Sequence, residues 1–243
     1  MLTALQVKKY RQKYRKFVVE GEKMVGELLT QQRVGVSAIF ATDAWISENT
    51  HRLDLFSEKT TLVTEAELKK ISSLTTPNQV LAIAEMPPTA PDRQLLQTKL
   101  CFYLDGLQDP GNVGTILRTA DWFGLPVLFC SPDCADVFSP KVVQASMGAA
   151  LRIATEEVLL ELLLAAAPPG IPVMGAVLGG DNVFAASPPT HGLLVIGNEG
   201  RGIGPATEAL LTHRLSIPRA PEGRAESLNA AVAAGILAAQ LTR

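Results

Sequence analysis

Short apolar segments alternate with helical patterns along the chain, and they fall into two groups. In the first group, the strand-like segments FVVE, VSAIFA, TTLVT and QVLAIAEM accompany a helix near Glu22–Gln32 and a second helix that begins after Thr64. Thr64 and Glu67 form a T-x-x-E capping box, which marks the start of the second helix. These segments predict a small α/β domain spanning residues 1–88.

The second group of apolar segments follows a polar, Pro-rich stretch that we interpret as a linker, residues 89–99. The strand-like segments LCFYLDGL, PVLFC, PVMGAVL, GLLVIG and RLSIP alternate with helical patterns, which is typical of a parallel sheet covered on both faces. The chain is therefore expected to be an α/β protein with a second domain over residues 100–243. The helices expected there are Thr115–Phe123, Lys141–Met147, Glu156–Ala167 and Glu226–Leu241.

Composition narrows the class of protein. The 243 residues are 47% apolar and 19% charged, which excludes a disordered or collagen-like chain. The longest nearly uncharged stretch, Val158–Gly180, contains Glu161 and three prolines, so we expect no membrane-spanning helix. The N-terminus lacks the apolar core of a secretory signal, and a cytoplasmic protein is the expectation.

The cysteines and histidines do not form the spacing of a metal site. Cys101, Cys130 and Cys134 are odd in number and show no C-x-x-C pair, and the three histidines are scattered. Neither a disulfide framework nor a zinc site is therefore expected. The thiols are expected to be buried as small apolar side chains.

Positive charge is concentrated at the N-terminus of a chain whose net charge is -2. Residues 1–20 carry six Lys and Arg against one Glu. Val7, Tyr10, Tyr14 and Phe17 recur at helical spacing, so the basic side chains are expected to project from the rest of the helix. The pattern alone does not decide between a phosphate-contacting surface and a solvated helix whose aromatic rings dock on their own domain. The candidates for phosphate contact are Lys8, Lys9, Arg11, Lys13 and Arg15.

The common motifs of α/β enzymes are missing. The sequence contains no G-x-x-x-x-G-K-[ST] loop, no G-x-S-x-G elbow and no strict G-x-G-x-x-G after a strand. This counts against a kinase, a hydrolase or an ordinary dinucleotide oxidoreductase.

Three polar or Gly-rich clusters follow predicted strands, where open α/β sheets form ligand crevices. LDGLQDPGNVGTILRTA combines Asn112 with Arg118, whose guanidinium suits a phosphate or carboxylate. VIGNEGRGIG has four glycines that allow the backbone to approach a ligand closely. LSIPRAPEGRAESLNAAVAAGI opens the last helix, which either Glu226 or Ser227 is expected to cap. Taken singly, each cluster could equally be an ordinary turn, loop or helix start.

Together and in this order, the three clusters resemble the SpoU, or TrmH, family of RNA ribose methyltransferases in the SPOUT superfamily. The pattern N-x-G-x-x-x-R-x-A is met by residues 112–120, and apolar-G-x-E-x-x-G-apolar by residues 196–203. The pattern I-P followed by S-L-N is met by residues 217–218 and 227–229. The chain departs from the family at Ala230, where Val is frequent, and in its PEGRAE loop, whose length and composition are less usual.

Further segments extend the resemblance. SPKVVQASMGA, residues 139–149, is similar to the family's intermotif segment. Residues 10–86 are more loosely similar to the ribosomal-protein-like substrate-binding domain that many members carry. The resemblance implies a parallel α/β sheet whose C-terminal part forms a deep trefoil knot, and it implies a homodimer.

The resemblance also implies a reaction and its site. Members transfer a methyl group from S-adenosyl-L-methionine to a ribose 2'-hydroxyl of RNA, and a separate RNA-binding domain favours large-subunit rRNA over tRNA. The implied catalytic residues are Asn112, Arg118, Glu199, Ser227 and Asn229. The implied cofactor residues are Leu178, Ile196, Gly197, Asn198, Gly202, Ile217 and Leu228.

Within that site, the favoured role of Arg118 is to bind the target phosphate and stabilise the developing alkoxide, because a guanidinium is a poor base. Proton abstraction by Arg118 is the second alternative. Glu199 and Ser227 could instead have structural roles. At the level of the whole protein, the alternatives are a tRNA methyltransferase, a non-catalytic RNA-binding assembly factor and a nucleotide-cofactor oxidoreductase.

Overall fold

The computed structural model describes residues 2–76, 78–87 and 90–243, with only the backbone described at Leu2. The chain forms two compact units. The first comprises Met1–Thr89 and Asp136–Arg152, and the second comprises Ala90–Ala135 and Ile153–Arg243. The segment that resembles the family's intermotif region therefore makes its contacts within the first unit, although the predicted boundaries grouped it with residues 100–243.

The regular elements follow one another along the chain. The α-helices are α1 (Lys8–Tyr14), α2 (Glu22–Thr30), α3 (Asp43–Glu48), α4 (Thr50–Leu53), α5 (Glu65–Ile71), α6 (Pro110–Phe123), α7 (Pro140–Ser146), α8 (Ala149–Arg152), α9 (Leu160–Ala165), α10 (Pro205–Glu208) and α11 (Ala230–Leu241). The strands are β1 (Lys16–Glu20), β2 (Val36–Ala41), β3 (Thr60–Leu62), β4 (Val80–Glu85), β5 (Leu100–Asp105), β6 (Val127–Cys130), β7 (Ala154–Glu157), β8 (Val173–Asn182), β9 (Gly192–Gly197) and β10 (His213–Ser216). Short 3-10 helices cover Leu2–Gln6, Asp54–Lys59 and Arg93–Gln97.

The first unit is built on a four-stranded sheet in the order β1-β4-β2-β3. Strand β4 runs antiparallel to β1 and β2, whereas β3 runs parallel to β2. Helix α2 contacts this sheet, and the core includes Phe17, Ile39 and Trp45 together with Val143 and Leu151 of the 136–152 segment. The predicted small α/β domain thus packs with a segment that lies far from it in sequence.

The capping box predicted at Thr64 is present. Glu67 Oε2 accepts a hydrogen bond from Thr64 N at 2.8 Å, and Thr64 Oγ1 accepts one from Glu67 N at 3.3 Å. The hydrogen bonds that the backbone N–H and the hydroxyl of Thr64 donate to the Glu67 carboxylate favour its charged form and lower the pKa of Glu67. The sequence patterns did not predict α3 and α4, where Thr42 caps α3 and Trp45 is buried.

The second unit confirms the predicted parallel sheet. Its six strands lie in the order β10-β8-β9-β5-β6-β7, and every pair is parallel. All residues of β6 are buried, as are all but the last residues of β5 and β9, because these apolar strands lie inside the sheet.

One helix of the second unit is shorter than predicted. Glu156 and Glu157 belong to the edge strand β7, and α9 covers only Leu160–Ala165. Strand pairing with β6 determines the conformation of this segment, and Arg93 donates a hydrogen bond to Glu156 at 2.6 Å. The predicted helix Glu156–Ala167 was therefore wrong in its first turn.

Part of the predicted linker is an ordered element. Asp92 accepts a hydrogen bond from Gln94 N at 2.9 Å at the start of the 3-10 helix Arg93–Gln97. Leu96 of this helix is fully buried in the core of the second unit. Pro88 and Thr89, where the predicted boundary falls, lie outside the described residues.

The three cysteines are buried, as predicted, and none of them forms a disulfide within the described part of the chain. Burial raises the pKa of the Cys101 thiol to about 12. Within residues 2–76, 78–87 and 90–243, no helix is long and apolar enough to span a bilayer, and no cluster of His, Cys, Asp and Glu could hold a metal ion.

Helix α1 does not expose all of its cations. Arg11 is only 3% exposed, and its Nε and Nη2 donate hydrogen bonds to Asp136 Oδ2 at 2.9 and 2.6 Å. Its Nη1 donates a third hydrogen bond to the Leu5 carbonyl oxygen at 2.6 Å. The expectation that Arg11 projects towards RNA is therefore wrong, because its guanidinium is buried and bonded inside the first unit.

Replacing Arg11 by Ala should lower the free energy of unfolding of the first unit by about 3–5 kcal/mol, because it leaves the Asp136 carboxylate without its buried partner. Replacing the exposed Lys9 by Ala should change it by less than about 0.5 kcal/mol. Urea titration followed by circular dichroism measures both. Equal stability of the two variants would show that the buried ion pair contributes nothing.

Candidate active site

The site lies where two central strands of the second unit end. Asp105, the last residue of β5, pairs with Gly197, the last residue of β9. Helix α6 begins at Pro110, shortly after β5, and a Gly-rich loop follows β9. In a parallel sheet such loops gather at the carboxyl edge, where ligands bind.

Asn112 connects the three segments that carry the sequence motifs. Its Nδ2 donates a hydrogen bond to Glu199 Oε1 at 2.9 Å. Its Oδ1 accepts a hydrogen bond from Asn229 Nδ2, also at 2.9 Å. Three of the five predicted catalytic residues are thus joined directly, although up to 117 positions separate them in the sequence.

Asn229 also determines where the last helix begins. Its Oδ1 accepts hydrogen bonds from Ala231 N at 2.9 Å and Val232 N at 3.2 Å, so Asn229 is the N-cap of α11. The expectation that Glu226 or Ser227 caps this helix was wrong. An asparagine can accept these backbone bonds with its oxygen while its NH₂ donates to Asn112. Ser227 is exposed in the loop before the helix.

The first helix of the site is capped in the same manner. Asp109 Oδ1 accepts a hydrogen bond from Asn112 N at 2.8 Å, and Pro110 occupies the first helical position. This cap fixes the backbone of Asn112. Arg118 lies about two turns further along α6.

Arg118 has a free guanidinium on the surface of α6. The side chain is exposed, and it makes no hydrogen bond or ion pair with any residue of the described part of the chain. Because a guanidinium offers five N–H donors in a planar arrangement, Arg118 is available to bind an anionic group.

A cavity of about 610 Å³ opens at the Gly-rich loop. Its volume is within the usual range for small-molecule sites. Glu199 and Ser227 contribute to its lining, whereas Asn112 and Arg118 do not. The lining includes all seven residues predicted to bind the cofactor, namely Leu178, Ile196, Gly197, Asn198, Gly202, Ile217 and Leu228.

The loop after β9 folds back tightly on itself. Asn198 and Gly202 exchange two backbone hydrogen bonds of 2.9 Å. A Cβ atom on Gly197 would lie 2.3 Å from the carbonyl carbon of Gly202, so only glycine fits there. Gly202 has a φ of 69°, which also favours glycine. The side chain of Asn198 donates a hydrogen bond to the Gly106 carbonyl oxygen at 2.7 Å and thereby holds the loop to the end of β5.

The sequence patterns missed two features that support the site. Asp105 accepts hydrogen bonds from Gly204 N at 2.6 Å and from Thr207 Oγ1 at 2.8 Å, which fixes the far end of the loop. The sequence signal for the role of Asp105 was a single acidic residue at the end of an apolar strand. Arg214 and Glu208 form an ion pair of 2.7 Å in the cavity wall, and no motif marked them.

Comparison with known families identifies this arrangement. The model of the SpoU rRNA Methylase family matches residues 99–239, which is more than half of the chain. The chain belongs to the SpoU family. A second model, described as the MRM3-like substrate binding domain, matches residues 1–82.

Relatives of this SpoU protein match over nearly its whole length. It is 31% identical over 236 residues to the 23S rRNA (guanosine(2553)-2'-O)-methyltransferase RlmP of Bacillus subtilis, covering 96% of this chain and 91% of that protein. A TrmH-family RNA methyltransferase from Porphyromonas gingivalis has a structure with a TM-score of 0.85 and 39% identity, covering 99% and 94% of the two chains. The AdoMet complex of the SpoU methyltransferase AviRb from Streptomyces viridochromogenes has a TM-score of 0.81 and 26% identity, covering 99% and 96%.

Replacing Gly197 by Ala should lower the free energy of unfolding of this SpoU chain by about 1–3 kcal/mol, because the new methyl group meets backbone atoms of the same loop. Gly200→Ala is the matched control: a Cβ there has only one neighbour, at 3.7 Å. It should change stability by less than about 0.5 kcal/mol. Denaturant unfolding monitored by circular dichroism makes the comparison, and a Gly197→Ala variant as stable as the control would contradict the close approach.

Proposed function

We propose that this chain transfers a methyl group from S-adenosyl-L-methionine to a ribose 2'-hydroxyl of RNA, with large-subunit rRNA as the substrate. The observation that carries the proposal is the junction at Asn112, which joins all three motif segments beside a cavity of the right size. Family membership supports the reaction class. RlmP is named for 2'-O-methylation of 23S rRNA, and the AviRb structure contains AdoMet.

The cavity suits the chemistry of S-adenosyl-L-methionine. Ile196, Leu178 and Leu228 provide apolar surface for an adenine ring. Around Gly197 and Gly202 the absence of side chains leaves backbone groups accessible to the polar parts of the molecule. When bound, the cofactor supplies an electrophilic methyl group on a sulfonium.

Arg118 is the residue that we assign to the reacting ribose. Methyl transfer to a hydroxyl builds negative charge on that oxygen, and a nearby guanidinium stabilises this charge while it binds the adjacent phosphate. A guanidinium holds its proton too tightly to be a good base. Arg118 therefore acts by electrostatic stabilisation, and proton abstraction by Arg118 is the alternative.

The polar residues of the Asn112 junction are assigned to orienting the ribose, because none of them makes a hydrogen bond to Arg118. Asn112 is fixed at both ends of its amide, and Glu199 and Asn229 hold it in place. Ser227 has no helix to cap, because Asn229 fills that position, so its hydroxyl is available to the bound substrate or cofactor. We therefore assign Ser227 to contact with the bound substrate or cofactor, and a purely structural role in its loop is the alternative.

The first unit supports an rRNA substrate. It matches a substrate-binding domain family, and Lys9 and Lys13 of α1 are exposed. Arg15 is exposed as well and donates a hydrogen bond to the Pro87 carbonyl oxygen at 2.7 Å. Lys8 is half-buried and has a partner within the chain. We also propose that the chain works in the cytoplasm, which cell fractionation checks.

Incubation with radiolabelled S-adenosylmethionine and total RNA from cells lacking the gene should label large rRNA. The label should survive alkaline hydrolysis in a dinucleotide, because a methylated 2'-oxygen cannot attack the neighbouring phosphate. Arg118→Ala should reduce kcat about 10²–10³-fold, as for the loss of one oxyanion donor. Cofactor affinity measured by calorimetry should stay unchanged, because Arg118 does not line the cavity.

The alternatives predict different results in the same assay. Arg118→Lys keeps the charge but loses the planar donor pair, and it should retain more activity than Arg118→Ala. Label in tRNA would show that the substrate is tRNA and not rRNA, and the proposed methyl transfer would still hold. RNA and cofactor binding without label would favour a non-catalytic RNA-binding factor, and binding of NAD in place of S-adenosylmethionine would favour an oxidoreductase.

We further propose that the chain is a homodimer associated through α6 and α11. Helix α11 packs on α6 and contains no charged residue, so it lacks the polar face of an ordinary surface helix. Val232 of α11 is half-exposed, and Trp122 of α6 is 84% exposed. Exposed Trp on an apolar surface is typical of interface hot spots.

Light scattering during gel filtration should give the mass of two 25.9 kDa chains for the unmodified protein. Trp122→Glu should shift the mass to one chain, because it buries a charge in the interface, and Trp122→Phe should keep the dimer. A monomeric unmodified protein, or a dimer unaffected by Trp122→Glu, would exclude this interface.

The proposal includes the family's trefoil knot. Strand β10 lies at the edge of the sheet beside β8, whereas α11 contacts α6 and β9 nearer the middle. The chain between Ser216 and Ala230 must therefore return across the carboxyl edge of the sheet. An experimental structure tests this part of the proposal. If its backbone becomes a straight line when the two ends are pulled apart, the chain has no trefoil knot.

A further inference from the structure

Helix α1 presents an aromatic surface to solvent. Tyr10 and Tyr14 are 37% and 40% exposed, and their rings stack with centroids 6.2 Å apart and planes inclined by 12°. They are four positions apart, so they lie on one face of the helix. We call this pair the aromatic row. Each ring is partly covered by its own unit, yet more than a third of its surface remains in contact with solvent.

A row of cations lies beside the aromatic row. Lys9 and Lys13 are also four positions apart, each directly before one of the tyrosines, and both are exposed. Lys13 Nζ lies 5.5 Å from the centre of the Tyr14 ring. The helix surface therefore combines two flat rings with two positive charges, within a segment that is basic in an otherwise acidic chain.

Arg11 holds this surface in place without taking part in it. Its three hydrogen bonds attach α1 to Asp136 and to the Leu5 carbonyl oxygen inside the first unit. A stacking surface needs a fixed backbone, since ordering a mobile one on binding reduces the affinity. The ion pair supplies that rigidity.

We propose that the aromatic row binds unpaired RNA bases by stacking, while Lys9 and Lys13 neutralise the neighbouring phosphates. This inference rests on the proposed function and deepens it by naming the substrate class as RNA with a single-stranded segment. Bases within a duplex hide their faces from side chains, whereas unpaired bases stack on aromatic rings. The positive charge beside the rings selects a polyanion over a neutral protein surface.

Fluorescence anisotropy with two labelled probes tests the proposal. One probe is a single-stranded oligoadenylate of about 12 nucleotides, a length typical of single-strand sites, and the other is a blunt RNA duplex of the same length. Tyr10→Leu/Tyr14→Leu should weaken single-strand binding by at least about fivefold, since stacking on an aromatic ring is lost. Binding of the duplex should change less than twofold.

Matched variants separate stacking from other effects. Tyr10→Phe/Tyr14→Phe keeps both rings and should bind the single strand as the unmodified chain does. Lys13→Gln should weaken both probes and lower the slope of log affinity against log salt by about one, because one phosphate contact is lost. Thermal unfolding of every variant shows whether it is folded. If the double Leu variant is unstable, the single Tyr→Leu variants replace it in the binding comparison.

Three results would overturn the proposal. The first is that the unmodified chain does not bind the single-stranded probe. The second is that the Leu variants lose affinity for the single strand and for the duplex equally. The third is that the Leu variants change the oligomeric state of the chain and leave its RNA affinity unchanged. The methylation assay is independent of this test. If the chain methylates RNA but the tyrosine rings do not contribute to RNA binding, the stacking proposal is wrong and the proposed function is unaffected. If RNA binding depends on the rings but no methyl group is transferred, the proposed function is wrong and the stacking proposal is unaffected.

Discussion

The candidate site depends on the side-chain amide of Asn112. Its two ends are chemically different: the NH₂ donates to Glu199, and the oxygen accepts from Asn229. An aspartate would lose the donor, and an apolar residue of similar size would lose both bonds and leave the exposed Glu199 and Asn229 side chains to water. Among these replacements, only an amide makes both bonds of the junction. The two helix caps, Asp109 and Asn229, place the groups that meet there.

The cavity beside this junction is shaped mainly by backbone. The loop after β9 closes on itself because Gly197 leaves space for the backbone of Gly202, and Asp105 and Asn198 attach the loop to β5. Attachment to the end of the central strand β5 is a rigid form of support, because the strand itself cannot shift without breaking sheet pairing. Binding surface and scaffold are thus provided by the same short segments.

Helix α1 combines a buried cation with partly exposed aromatic rings. Arg11 contributes its charge to the interior, where Asp136 compensates it, and Tyr10 and Tyr14 each keep more than a third of their surface in solvent. Arg11 is thus buried, although the sequence pattern placed the cations of this helix on its surface. The cause is the partner, since a carboxylate at the right place makes burial of a guanidinium favourable.

The sequence by itself determined the elements and motifs whose signals are local. Apolar runs predicted β5, β6 and β9, because strands inside a parallel sheet are buried on both faces, and the Thr64 capping box predicted α5. Family motifs predicted the residues that line the cavity. Only the tertiary structure decided which residues meet. The burial of Arg11 depends on a carboxylate 125 positions away.

Tertiary contacts decided the remaining features for the same reason. Asn229 caps α11, and the same amide contacts Asn112, which lies 117 positions away in the sequence. Glu156 lies in a strand because it pairs with β6. Residues 136–152 joined the first unit through apolar contacts with distant strands. Local patterns report the preferences of neighbouring residues, whereas these outcomes depend on contacts between segments that only folding brings together.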